Sequence, residues 1–248
     1  MKAIVYTQYG PPDVLQLKTV EKPVPVEDEI LIKVRAVEAT KADCEMRSFD
    51  FQVKWFWLPL RLALGIVKPR KRVLGGYFSG EVESVSKDVS EFNKGDKIFG
   101  SAGLRLGAYG EYLCLPARYT LLGKPGNSSF EEAAAVPLGG LNALHFLRKA
   151  NIRKGEKVLI NGAGGSIGTF AVQIARTMGA EVTAVDSAIK ADMLHRLGAD
   201  RFIDYAEEDF TENTQGYDVI LSMVARTSFA GCMNALKPGG RYLLANPR

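Results

Sequence analysis

The run Lys157-Val-Leu-Ile-Asn-Gly-Ala-Gly-Gly-Ser-Ile-Gly-Thr-Phe-Ala-Val-Gln-Ile-Ala-Arg176, followed by Glu181-Val-Thr-Ala-Val-Asp186, decides how this chain folds. Val158 to Ile160 are consecutive apolar residues, as expected of a strand buried on both faces. Gly162, Gly165 and Gly168 follow at three-residue spacing. The early glycines allow a tight turn and let backbone N–H groups approach a pyrophosphate, and Gly168 lets the next helix pack close to the sheet. Gly165, Ser166, Ile167 and Gly168 thus open a helix whose N-terminus carries partial positive charge and free donors suited to an anion. Asp186 closes a second strand about twenty residues further on, where an acid hydrogen-bonds an adenosine ribose. A glycine fingerprint alone is weak evidence, because ordinary strand–turn–helix connections also carry glycines. Here the strand before it, the helix after it and the acid supply the required context.

The 248 residues are enough to bury a large core, as two domains. The chain is 46% hydrophobic and 24% charged, ordinary for a globular protein. Its net charge of +4 is too mild to imply nucleic acid, which calls for a basic stripe. Cys44, Cys114 and Cys232 are odd in number and far apart, which suits free thiols in a reducing compartment. The N-terminus turns polar too soon for a signal peptide, so cytoplasmic residence is the expectation. Residues 53–67 (VKWFWLPLRLALGIV) test that reading, with Lys68-Pro-Arg-Lys-Arg72 behind them. The segment is too short to span a bilayer and contains Pro59 and Arg61. Packing against the core or walling a cleft is the plainer expectation; contact with a membrane surface is the alternative.

Residues 1–124 read as β-rich. Short strands are expected at Lys2–Tyr6, Ile30–Val37, Phe78–Val85, Lys97–Phe99 and Tyr109–Leu115, separated by turns, as in a compact barrel. The character changes near Gly123-Lys-Pro-Gly-Asn127, so residues 125–248 form a second domain. Ser129 before Phe130-Glu-Glu132 resembles a helix N-cap, with one helix to Val136 and another from Gly139 to Ala150. Strands are then expected at Val158–Asn161, Glu181–Asp186, Arg201–Asp204, Tyr217–Leu221 and Gly240–Ala245, with crossover helices at Thr169–Met178 and Ile189–Leu197. Such alternation implies an α/β, doubly wound parallel sheet. A full dinucleotide fold has a sixth strand, whereas the sequence stops at Arg248 after the fifth.

Three segments together resemble the medium-chain dehydrogenase/reductase superfamily, on its zinc-free, quinone-oxidoreductase-like side. They are Gly80-Glu-Val-Glu-Ser-Val85 through Gly95-Asp96 to Phe99-Gly100, then Ala133-Ala-Ala-Val-Pro-Leu-Gly-Gly-Leu-Asn142, and the glycine turn itself. The resemblance implies an N-terminal GroES-like domain and a C-terminal Rossmann domain lacking its last strand. It further implies hydride transfer between NAD(P)H and a quinone, enone or other carbonyl, and a homodimer in full-length relatives. Zinc-dependent relatives place their catalytic ligands at positions matching Thr40, Gly76 and Leu138, none of which is a zinc ligand of the required kind. No metal is therefore expected.

Without a metal, a developing oxyanion needs a hydrogen-bond donor. The resemblance places Thr40, Asp43 and Tyr77 at the substrate end, with Thr40 and Tyr77 as donors and Thr40-Lys-Ala-Asp43 on a cleft-lining loop. It places Asn142 near the nicotinamide and Tyr205 near the adenosine. Asp186 favours a free ribose 2′-hydroxyl and hence NAD, while Ser187 and Lys190 suit a 2′-phosphate and hence NADP. The choice of cofactor stays open. After the fourth strand, Leu221-Ser-Met-Val-Ala-Arg226 carries Ser222 and Ala225 where relatives carry Asp and Gly. Two alternatives accompany the reductase reading: a shortened, non-catalytic dinucleotide-binding protein, and nucleic-acid or membrane-surface binding through Trp55, Trp57 and Lys68–Arg72.

Overall fold

In the computed structural model, residues 1–51, 57–212, 216–224 and 227–245 are described. Trp55, Ala225, Arg226 and Arg248 lie outside the described residues. The chain divides into two units, Met1–Pro137 and Leu138–Arg248.

In the first unit, β1 (Lys2–Val5) pairs antiparallel with β2 (Gln16–Thr19). β3 (Glu29–Glu38), β4 (Tyr77–Val85), β5 (Lys97–Ser101), β6 (Tyr112–Pro116) and β7 (Leu121–Gly123) form a second sheet. Its order is β6-β3-β4-β5-β7, with every neighbour antiparallel. Alternate residues point inward, so Ile30, Ile32, Phe78, Val82, Ile98 and Leu115 share one core and are almost wholly excluded from solvent. The expected strand at Tyr109–Leu115 begins later. Gly110 makes only an isolated bridge to Ala3, and regular pairing with β3 starts at Tyr112.

Two helices, α1 (Lys41–Ser48) and α2 (Trp57–Leu64), connect β3 to β4. The loop expected over Thr40-Lys-Ala-Asp43 is instead the start of α1. Thr40 is its N-cap, and Asp43 closes a reciprocal capping box.

Helix α3 (Phe130–Ala150) begins with another capping box. The Glu132 amide donates to Ser129 Oγ at 3.1 Å and the Ser129 amide to Glu132 Oε2 at 2.8 Å. The two helices expected here are one. Pro137 removes one amide donor inside α3, but Ala133, Ala134, Ala143 and Leu147 bury the helix on either side of it. The division between units falls inside this helix, downstream of the boundary expected near residue 124.

The second unit holds β8 (Lys157–Asn161), β9 (Glu181–Asp186), β10 (Arg201–Asp204), β11 (Tyr217–Ser222) and β12 (Leu236–Leu244). The sheet is parallel throughout, in the order β10-β9-β8-β11-β12. Helix α4 (Ser166–Thr177) links β8 to β9, α5 (Ala191–Arg196) links β9 to β10, and α6 (Phe229–Ala235) precedes β12. Both faces of β8 are covered, which explains its unbroken apolar run. Val158 and Ile160 pack with Ala171, Val172 and Ala175 of α4, while Leu159 packs with Cys232 and Ala235 of α6. Strand β12 starts at Leu236 rather than Gly240. Its ladder to β11 shifts register so that Lys237-Pro-Gly-Gly240 is looped through the strand. Cys44, Cys114 and Cys232 are free thiols. Among the described residues, no helix is long and apolar enough to cross a membrane.

Phe78 is fully buried in the first unit's core, and truncating it leaves a cavity its neighbours cannot fill. Phe78→Ala is expected to cost about 3–5 kcal/mol. Urea titration followed by intrinsic fluorescence should show the first unit unfolding at lower denaturant, with the second unit's transition unmoved.

Candidate functional site

In the second unit, strand order reverses across β8, with β9 on one side and β11 on the other. A parallel sheet opens a crevice at the carboxyl ends of its strands at such a point. The glycine turn leaves the end of β8 there. Gly162 has φ 83°, a left-handed conformation that strains any side-chain-bearing residue. Its N–H, like that of Ala163, bonds to the Val185 carbonyl and ties the turn to β9. Gly168 is where the turn's own backbone comes closest. A Cβ there would lie 2.4 Å from the Gly162 carbonyl oxygen and 2.5 Å from that of Ala163. Gly165 is the extended N-cap of α4. Ser166 and Ile167 begin the helix, so the first-turn amides converge on the end of β8.

Asp186 pins this turn. It is buried at the end of β9 and accepts from the Gly164 amide at 2.7 Å and the Ser187 amide at 2.9 Å. Gly164 reaches Oδ2, while Lys190 Nζ lies 2.9 Å from Oδ1, the oxygen the Ser187 amide also reaches. Burial alone works to raise the Asp186 pKa. The Lys190 hydrogen bond and the two amides outweigh it and hold the carboxyl below its ordinary 3.8. A Cβ on Gly164 would meet Lys190 Cδ at 2.2 Å, so a side chain there would push the lysine stem off its path to Asp186.

A cavity of about 680 Å³ opens beside the turn, lined by Asn161, Val185, Tyr205, Phe210, Val224 and Thr227 among others. Tyr205 is exposed, and its amide bonds to the Asp186 carbonyl. Asn161, buried at the end of β8, donates to Ser222 Oγ at 3.2 Å and Thr227 Oγ1 at 2.7 Å. Sequence reasoning missed this trio, because only the pairing of β8 with β11 brings its members together. Asn142 lies on α3, where its side chain donates to the Leu138 carbonyl at 2.8 Å. Gly139, in the preceding turn of α3, lies against Ser166 and Phe170 of α4. These residues fit a dinucleotide: a backbone cradle that a Cβ would obstruct, an anion-favouring helix start, and an acid at the ribose position.

The expected catalytic residues lie in the first unit. Asp43 is buried and accepts from the Thr40 amide at 3.0 Å, Thr40 Oγ1 at 2.6 Å and the Gly75 amide at 3.1 Å. Thr40 Oγ1 in turn accepts from the Asp43 amide at 3.2 Å. Three phenols feel the same acid. Tyr6 is pushed up to about 12 by burial, then by Tyr9 and Asp43. Tyr109 is raised by burial and by its charge and hydrogen-bond interactions with Asp43. Tyr77 is raised by burial, then by Glu38 and Asp43. All three stay protonated near neutral pH. Among the described residues, no group of three or more His, Cys, Asp or Glu side chains is placed to hold a metal ion.

Residues 26–126 match the model of an alcohol dehydrogenase GroES-like domain, and residues 166–245 that of a zinc-binding dehydrogenase. The chain is 32% identical over 254 residues to a 2-methylene-furan-3-one reductase of Solanum lycopersicum, covering 98% of this chain and 62% of the relative. A quinone oxidoreductase of Sus scrofa is 31% identical, covering 100% of this chain and 74% of the relative. Among solved structures, the quinone oxidoreductase from Coxiella burnetii superposes with a TM-score of 0.84 at 34% identity, covering 98% of this chain and 74% of that one. The chain belongs to the quinone-oxidoreductase-like branch of the medium-chain dehydrogenase/reductase superfamily. It spans somewhat under two thirds of the tomato protein's length and about three quarters of the other two.

The depressed pKa of Asp186 sets a pH dependence. Its contribution to stability is present in full above the unfolded carboxyl pKa and is lost as pH falls through the lower folded value. The stability gap between the native chain and Asp186→Asn should be widest near neutrality and close progressively below about pH 4. Thermal melts of both proteins across that range measure it. A gap that widens toward acid would contradict the arrangement.

Proposed function

We propose that this chain is a zinc-independent reductase that adds a hydride from NAD(P)H to a quinone, enone or related carbonyl. The observation that carries the reading is the Gly162–Gly168 turn pinned by Asp186. Quinone and furanone reductases among the matched relatives support the substrate class, and the side chains at positions 40, 76 and 138 support independence from zinc.

A reduced nicotinamide, when bound, supplies the hydride. The first-turn amides of α4 would hold the pyrophosphate, and the cavity lined by Val185, Tyr205 and Val224 would take the adenosine. We assign Asn142 to positioning the nicotinamide end. As hydride reaches an electron-poor carbon of the substrate, negative charge grows on the conjugated carbonyl oxygen. Tyr77 donates a hydrogen bond to that oxygen. Its raised pKa keeps the phenol protonated but makes it a poor proton donor, so water delivers the proton that completes the reduction. Thr40 and Asp43 are positioning residues, because each satisfies the other within the capping box and Asp43 also fixes Gly75.

Purified protein should oxidise NADH or NADPH in the presence of a quinone series, with saturation and without loss of rate in a zinc chelator. Thermal stabilisation by cofactor with no turnover of any quinone or enone would overturn the reading in favour of a binding protein. Tyr77→Phe is expected to lower kcat about 100-fold with little change in KM. An unchanged kcat would remove Tyr77 from the mechanism.

The cofactor preference turns on Lys190. Its ammonium neutralises Asp186 and offers its remaining donors to a 2′-phosphate. Lys190→Ala should weaken NADPH binding about ten-fold and leave NADH binding within about two-fold, a difference of roughly 1 kcal/mol in charge-assisted hydrogen bonding. Calorimetric titration with each cofactor distinguishes this from a general loss of affinity.

A further inference from the structure

Helix α2 leaves a stripe of large apolar side chains in solvent. Leu58 and Leu62, one turn apart on the helix, are 61% and 52% exposed, and Ile66, just past the end of the helix, is 62% exposed. Trp57 is 51% exposed and Val67 is 78% exposed. Exposure on this scale does not come from a loosely held segment. Arg61 stacks its guanidinium 3.6 Å from the Phe49 ring centroid, with Tyr9 and Trp57 also within reach. It donates to the Ile66 carbonyl at 3.0 Å. The Tyr9 hydroxyl donates to the Leu64 and Gly65 carbonyls at 3.0 and 2.9 Å. One side of the segment is therefore fastened to an aromatic cluster while Leu58 and Leu62, one turn apart, face water.

Charge accompanies the stripe. The Gly65 amide bonds to the Arg61 carbonyl, and the Arg70 amide bonds to that of Leu64 at 2.8 Å. This folds the following turn back on the end of α2. Lys68, Arg70, Lys71 and Arg72 leave that turn exposed to solvent. Residues 51–80 contain Lys54, Arg61 and these four cations, and neither Asp nor Glu. A fixed helix with exposed Trp and Leu, directly followed by basic residues, combines both attractions of an anionic bilayer. The apolar side chains reach the boundary between headgroups and acyl chains, tryptophan favours that level, and the cations pair with lipid phosphates and carboxylates. A nucleic acid would use the cations but not the leucines. An apolar protein groove would use the leucines but not the cations.

We propose that α2 and the Lys68–Arg72 turn form a docking surface for an anionic lipid bilayer. Trp57, Leu58, Leu62 and Ile66 insert shallowly, and the basic turn holds the headgroups. The surface belongs to the first unit, and its test does not depend on turnover.

The whole chain is incubated with vesicles of phosphatidylcholine, alone or mixed with phosphatidylserine, and bound protein is recovered by sedimentation. The expected result is binding to the mixed vesicles at low salt, weakened by added salt, with little binding to phosphatidylcholine alone. Lys71→Ala/Arg72→Ala should weaken partitioning about 25-fold, from a roughly five-fold effect per charge. Leu58→Ser/Leu62→Ser should abolish recovery with vesicles at any salt. Every substituted side chain except the leucines' packed bases lies in solvent, and thermal melts confirm that the variants fold. Absence of binding to mixed vesicles at low salt overturns the proposal, as does equal binding to both vesicle types. Binding that survives the leucine substitutions shows charge attraction without insertion and overturns it too. Retention on an oligonucleotide, or self-association relieved by the leucine substitutions, overturns it when vesicle binding is absent.

Discussion

The second unit depends on one steric constraint: the approach of α4 to the turn that leaves β8. With hydrogen alone at the Gly168 Cα, the helix start rests against the carbonyls of Gly162 and Ala163. A methyl group there would force helix and turn apart. The first-turn amides of α4 would then no longer converge on the end of β8, and the macrodipole would point at empty space. The remaining features of the site secure this approach. Gly162 turns back with positive φ, its amide is anchored to β9, and Asp186 grips the turn through the Gly164 amide. Ala171, Val172 and Ala175 continue the same close packing along the helix, where larger side chains would lift it from the sheet.

The first unit is organised around a buried acid. Asp43 is held by donors from Thr40 and Gly75, and its surroundings keep Tyr6, Tyr77 and Tyr109 protonated. A buried carboxyl without such donors is costly, so the capping box and the Gly75 amide are what make the position tolerable. The same contacts fix the entry to α1 and the chain just before β4. Asp43 thereby sets where Tyr77 begins its strand, although Asp43 itself is enclosed. The two units thus use a carboxyl alike: each joins a turn to a distant backbone amide.

The parallel sheet was legible because its strands are short apolar runs bounded by charge or glycine, and β9 and β10 begin and end where the residues indicate. The capping box at Ser129 and Glu132 was equally readable. At Thr40 and Asp43 the resemblance implies a cleft-lining loop and Asp43 by itself suggests an N-cap, whereas Thr40 is the N-cap and Asp43 the N3 partner of its capping box. The spacing of Thr40 and Asp43 carried the helix start all along. Pro137 was taken as a helix end, yet burial on both sides of it outweighs one lost donor. The last strand is expected to begin at Gly240, whereas β12 begins at Leu236, because only pairing with Tyr217 of β11 makes Leu236 part of the ladder. The Asn161–Ser222–Thr227 trio and the Arg61 aromatic cluster had no sequence signal, because both are made by residues brought together from separate elements.

Asp186 and Lys190 sent opposing signals when read one at a time, as an acid that repels a 2′-phosphate and a cation that attracts one. Their contact changes the physics. The Gly164 and Ser187 amides, the Ser187 hydroxyl and Lys190 all reach the carboxylate, so most of its acceptor capacity is already engaged within the chain. The carboxylate is meanwhile neutralised by an ammonium at 2.9 Å, so its repulsion of a phosphate is much reduced. The ammonium has three donors and spends one on Asp186, which leaves two directed elsewhere. Gly164 gives the lysine stem room to cross the turn, so the pair is built into the glycine turn. Asp186 and Lys190 therefore act as one ion-paired unit at the end of β9, and neither charge can be read apart from the other.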